Sequence, residues 1–146
     1  MRPERVAVSE RSSGMYRRIL VIDDNEEILA LFHDLLSVEE YEVVLSDFIA
    51  PNEIAELQPH LIILDYFSGH EPVGGQLVEQ LKLQAATKHI PIIICTTAST
   101  ARAEKDPAFI AEGVHVVFKP FDVTDLLQKV EQALLDHDNQ AKAVGV

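Results

Sequence analysis

Four short apolar stretches of this 146-residue chain end in residues able to do metal or phosphoryl chemistry. Ile19–Ile22 runs into Asp23 and Asp24, Leu61–Leu64 into Asp65, Ile92–Cys95 into Thr96 and Thr97, and Val114–Phe118 into Lys119 and Pro120. If the stretches are parallel strands, these ends share one edge of a sheet, and three carboxylates, two hydroxyls and an ammonium converge there. Clustered carboxylates repel one another unless a cation is present. Hard oxygen donors in small number suit Mg²⁺, which keeps several waters and accepts phosphate oxygens. A lysine opposite suits an incoming phosphoryl group, and Asp65 can attack phosphorus to form an aspartyl phosphate. Taken singly, each residue is ordinary: Asp after a strand turns or caps, Thr-Thr caps or favours strands, and Lys-Pro turns. Their joint placement carries the chemistry.

The elements that must position them alternate in type. The four stretches, with Val43–Leu45, are rich in Ile and Val and mostly lack polar alternation, the pattern of strands buried on both faces. Between them Ile28, Leu31, Phe32, Leu35 and Leu36 follow helical spacing, with Asn25 able to cap and Glu26 and Glu27 in the favourable first turn. Leu77, Val78 and Leu81 mark another helix, and Pro51–Leu57 and Pro107–Glu112 read as short ones. A last helix starts near Asp122 and offers Val123, Leu126, Leu127, Val130 and Leu134 to a core. Strands and helices in this order predict a doubly wound α/β domain with five strands, whose ligands sit beyond the carboxyl ends. Residues 1–15 are expected as a disordered or extended arm, 16–136 as the domain and 137–146 as a tail without period.

Composition bounds the function. The single cysteine, Cys95, excludes an internal disulfide and reads as a buried, inert thiol. No apolar run approaches membrane-spanning length, the first residues are too polar for a signal peptide, and a cytoplasmic location is expected. The formal net charge is −12. Five arginines lie within residues 1–18, whereas Ile19 to His60 holds eleven acids and no Lys or Arg. Such a surface repels phosphate backbones, so direct nucleic-acid binding is not expected. Most of these acids read as solvated helix faces. The six histidines show no metal-ligand spacing, and Gly74-Gly75 lacks the rest of a phosphate-cradling loop.

From Arg17 to Asp136 the chain resembles the receiver domain of bacterial two-component response regulators. The resemblance rests on Ile19-Leu-Val-Ile-Asp-Asp-Asn25, Pro59-His-Leu-Ile-Ile-Leu-Asp65, Pro91-Ile-Ile-Ile-Cys-Thr96 and Phe118-Lys-Pro-Phe121, in that order and spacing. It implies a flavodoxin-like (CheY-like) sheet of order 2-1-3-4-5, with Asp65 as phosphoacceptor. Asp23, Asp24, Asp65 and the backbone carbonyl of Phe67 would stand around Mg²⁺, and Lys119 would contact the phosphoryl group. The Lys119–Pro120 bond is expected to be cis, which proline makes tolerable. For the switch hydroxyl, counting along the strand from Pro91 selects Thr96, while the commonest family spacing back from Lys119 selects Thr97; strand register favours Thr96. The implied partners are a sensor histidine kinase or a histidine phosphotransfer protein, and an unidentified downstream protein. The domain would be no enzyme in the ordinary sense, assisting only its own phosphorylation and dephosphorylation. The absence of an output domain after Asp136 suits a stand-alone regulator, a relay intermediate or a piece of a larger protein.

Three departures from the family pattern stand out. The loop after Asp65, Tyr66 to Gly75, is long and lacks the usual Met-Pro pair. Val116 occupies the position three before Lys119 where the family carries an aromatic. The segment after Thr97 is polar until Asp106-Pro107, which reads as a cap and a first helical proline. These keep open a pseudo-receiver that binds proteins without being phosphorylated. An aspartate-nucleophile hydrolase fits less well, because Asp23 and Asp24 are adjacent rather than in Asp-x-Asp form and no cap domain is available.

Overall fold

The computed structural model describes residues 6–8, 16–67, 71–97 and 105–143. In chain order it has strand β1 (Val6–Val8), β2 (Arg18–Ile22), helix α1 (Glu26–Val38), β3 (Glu42–Ser46), α2 (Pro51–Leu57), β4 (Leu61–Asp65), α3 (Val73–Lys82) and β5 (Ile92–Thr96). A 3-10 turn (Pro107–Ile110), β6 (Val114–Phe118) and α4 (Val123–Ala143) follow. The sheet order is β1-β3-β2-β4-β5-β6. The last five are all parallel, and numbered among themselves they run 2-1-3-4-5, as the resemblance implied.

Burial on both faces explains the unalternating strands. Leu20, Val44, Ile62, Leu64, Ile92 and Ile94 join one core with Ile54 of α2, Val78 and Leu81 of α3, and Phe109 of the 3-10 turn. Ile19, Val21, Val43, Leu61, Ile63, Ile93 and Cys95 join the other with Phe32 and Leu36 of α1 and Leu126, Val130 and Leu134 of α4. Each fully buried aliphatic side chain contributes about 1.5–3 kcal/mol, which gives the carboxyl edge a rigid base. Burial pushes the Cys95 thiol up to about 12, so it stays protonated.

The structure adds to the sequence reading or departs from it in four places. Val6–Val8, within the expected arm, pairs antiparallel with β3 as a sixth strand. Three residues are too few for a visible period, and the open edge of β3 supplies the pairing. The expected tail is helical through Ala143. Its contacts there are polar or aromatic, Arg17 with Asp138 and the His137 ring 6.0 Å from that of His89, so no apolar period marks it. The expected helix Pro107–Glu112 is a single 3-10 turn, because Ala111 is already extended toward β6. Glu42 is not on a solvated face: it is buried and paired with Arg18 at 3.2 Å.

One contact brings α3 against the end of β4. A Cβ on Gly74 would overlap the Asp65 carbonyl oxygen and lie 2.7 Å from Tyr66 Cα, both backbone atoms that cannot swing aside. Gly74→Ala is therefore expected to lower the unfolding free energy in urea by about 1–3 kcal/mol, measured by chemical denaturation, whereas Gln76→Ala on the exposed side of the same helix should change it little.

Candidate functional site

Parallel register sets the site. In the β2–β4 pair Ile22 lies opposite Leu64, so the next residues, Asp23 and Asp65, leave the sheet edge side by side. Asp65 also lies opposite Cys95, and Thr96 opposite Phe118, which places Lys119 one step beyond the rim. The Lys119 N–H donates to the Thr96 carbonyl at 2.8 Å.

The carboxylates of Asp23, Asp24 and Asp65 come within 4.8 Å of one another, and among the described residues they are the only such group of metal-capable side chains. Asp23 is buried, Asp65 half-buried and Asp24 exposed. Asp23 Oδ1 accepts the Asn25 N–H at 2.9 Å, and Asn25 in turn caps α1 by accepting from Glu27 at 2.8 Å and Ile28 at 3.2 Å. The start of α1 thus orients the buried acid. Lys119 Nζ lies 3.3 Å from Asp65 Oδ2 and 3.6 Å from Asp23 Oδ2. Three negative groups face one cation, so an acidic excess remains that fits a small, hard divalent cation.

Titration follows. Burial raises the Asp23 pKa above 3.8, with the charges of Asp65 and Asp24 adding to it; the Asn25 hydrogen bond and Lys119 only partly oppose this. Burial works to lower the Lys119 pKa, but the carboxylates of Asp65 and Asp23 more than offset it and raise it above 10.5.

Each anticipated residue has a definite place. Thr96 closes β5 and is fully buried, whereas Thr97 is exposed. By strand alternation Thr96 shares the face of Ile92 and Ile94, where Val116 also packs. Phe67 lies just past β4, its N–H 3.4 Å from Asp65 Oδ1. The Lys119–Pro120 bond is cis. Residues 68–70 of the long loop and 98–104 of the polar segment lie outside the described residues. Sequence reasoning missed two groupings. Tyr66 donates a hydrogen bond to Asp106 across the molecule. His60, His89 and His137 line a groove of about 240 Å³ at the opposite, amino-terminal edge of the sheet. Neither has a spacing signal, since their members are distant in the chain.

A doubly wound parallel sheet with an acidic trio and a lysine at its carboxyl edge is the architecture of a receiver domain. A family model for the response regulator receiver domain matches residues 19–131. The chain belongs to that family, the receiver domains of two-component systems. It is 30% identical over 127 residues to the polar-differentiation response regulator DivK of Brucella ovis, covering 84% of this chain and 99% of DivK. It is also 30% identical over 139 residues to the nisin biosynthesis regulatory protein NisR of Lactococcus lactis, covering 90% of this chain but only 56% of NisR. The receiver domain of a Luxo repressor protein from Vibrio parahaemolyticus shares the fold, with a TM-score of 0.72 and 21% identity over 88% of this chain and 98% of that one. Vibrio cholerae CheY4 does likewise, with a TM-score of 0.67 and 20% identity over 81% and 98%. Among the described residues no helix is long and apolar enough to cross a membrane.

The strained acidic trio yields a stability test. In chelator at neutral pH, Asp23→Asn is expected to melt at a higher temperature than the parent, because it removes a buried, repelled charge, and to lose the stabilisation that added Mg²⁺ gives the parent. The gap should narrow as pH falls through the raised Asp23 pKa toward 3.8, since folded Asp23 takes up its proton before the unfolded chain does. Thermal melts across pH, with and without Mg²⁺, measure both.

Proposed function

We propose that this receiver domain is a phosphorylation switch that accepts a phosphoryl group on Asp65 from a sensor histidine kinase or a histidine phosphotransfer protein. The observation that carries this reading is the meeting of Asp65 with two further carboxylates and with the Lys119 ammonium 3.3 Å away. A carboxylate oxygen of Asp65 attacks phosphorus. The new O–P bond forms as the donor's P–N bond breaks, or its P–O bond where the donor is an acyl phosphate, and the bonding pair leaves with the donor. The carboxylate needs no deprotonation, so no general base is called for. Asp23, Asp24, Asp65 and the Phe67 carbonyl would hold Mg²⁺, which when bound neutralises charge between the acids and the phosphoryl oxygens. Lys119 exchanges its pairing with Asp65 for a phosphoryl oxygen, a small movement because the ammonium is already beside the nucleophile. Thr96, buried on the face that carries Val116, is the switch hydroxyl rather than exposed Thr97.

The near-complete coverage of DivK, itself a response regulator, supports a signalling role, with assistance to its own phosphorylation rather than turnover of a separate substrate. The acidic charge favours protein partners over nucleic acid, and a relay from a sensor kinase fits a cytoplasmic domain.

Incubation with acetyl phosphate and Mg²⁺, read by intact mass, is expected to add one phosphoryl group to the parent and none to Asp65→Asn or to the parent in chelator. Labelling of Asp65→Asn at the parental rate would refute the assignment. A parent that never labels would establish the pseudo-receiver reading instead.

A further inference from the structure

Tyr66 directly follows the proposed phosphoacceptor but belongs to the core beneath it. Its side chain is 2% exposed. The ring lies edge-on to Phe67, with centroids 4.7 Å apart, and 4.8 Å from the ring of Phe109 in the 3-10 turn. Its hydroxyl donates to Asp106 Oδ2. The other oxygen of that carboxylate accepts the Ala108 N–H at 2.9 Å and caps the turn Pro107–Ile110. A buried phenol needs an acceptor, and an ionised one gives a strong bond. Gly75 closes over the pair: a Cβ there would stand 2.7 Å from Asp106 Oδ2 and 2.9 Å from Tyr66 Cε1.

The backbone of the same residue is gripped from two sides. The Tyr66 N–H donates to the Cys95 carbonyl at 3.1 Å, and its carbonyl accepts the Gly74 N–H at 2.9 Å. The next N–H, that of Phe67, approaches the Asp65 carboxylate at 3.4 Å. Charge and bulk added at Asp65 therefore act on the Phe67 N–H as well as on Lys119, and the Phe67 ring meets the Tyr66 ring edge-on. The ring and hydroxyl carry any shift on to Asp106, with no flexible linker between. Beyond the cap, Ile110 is 82% exposed, so the turn presents an apolar side chain whose placement the cap sets.

We infer that Tyr66 is a positioning residue: through its hydrogen bond to Asp106 it couples the phosphoryl state of Asp65 to the placement of the turn Pro107–Ile110, and the placement of that turn back to the stability of the phosphoryl-like state. Coupling of this kind is reciprocal. The inference rests on the reading of Asp65 as the acceptor.

Amide hydrogen exchange at Ala108, Phe109 and Ile110 tests it on the full chain, with and without beryllofluoride and Mg²⁺ standing in for the phosphoryl group. The variants are Tyr66→Phe, which keeps the ring, and Asp106→Ser, which keeps an N-cap oxygen but cannot reach the phenol. The parent is expected to change its exchange severalfold at these amides on addition of the mimic, and both variants to lose that response while still taking up one phosphoryl group from acetyl phosphate. The affinity for beryllofluoride with Mg²⁺ should shift by a similar factor in each variant and no further in the double variant, as one shared contact requires. A Tyr66→Phe chain that labels and responds like the parent overturns the coupling alone. A parent that takes up no phosphoryl group overturns the Asp65 reading, and the coupling with it.

Discussion

Like charges held together at the carboxyl edge of the sheet are the constraint to which the rest of the structure answers. Asp23 and Asp65 end neighbouring parallel strands whose register leaves them side by side, and Asp24 joins them within 4.8 Å. In water such a cluster would drift apart. Here the strands beneath are packed from both faces, so relaxation would have to break a dense core. The repulsion is therefore stored rather than relieved; burial raises the pKa of Asp23, and the charges of Asp65 and Asp24 add to it. Lys119 offsets part of it, at the cost of being partly desolvated itself.

Local structure around the rim serves that arrangement. Asn25 caps α1 with its side chain and holds the Asp23 carboxylate with its backbone N–H, so one residue ties a helix start to a metal-capable acid. Gly74 lets α3 reach the backbone of β4 at Asp65. Thr96 sits below the rim on the face it shares with Val116, while the Lys119 N–H binds its carbonyl. A site built this way on strand ends is preorganised.

On the proposed reading, a response has to pass from the rim to a surface. Valine at position 116 is short and β-branched, with one χ angle and little reach. In the core that Val116 also joins, the ring of Tyr66 spans from the end of β4 to the capped turn, touching Phe67 and Phe109 on the way. Aromatic packing and a hydrogen bond to a carboxylate are both directional, which suits this link to the proposed coupling better than a purely aliphatic contact would.

By itself the amino-acid sequence determined the alternation of strands and helices, the parallel core, the caps at Asn25 and Asp106, and the acids and lysine at the strand ends. Those features are written in local terms: apolar runs, 3.6-residue spacing, and a polar residue at each stop. It also carried the family motifs that implied the strand order. Only the tertiary structure decided which groups meet. The Tyr66–Asp106 bond joins residues 40 apart, Arg18 finds buried Glu42, and β1 exists only because β3 offers an open edge. The helix past His137 likewise draws on contacts with Arg17 and His89 rather than on its own pattern. The physical reason is common to all four. A periodicity reports which face of an element is buried, but a single polar contact leaves no period, and its partner is chosen by how the whole chain closes.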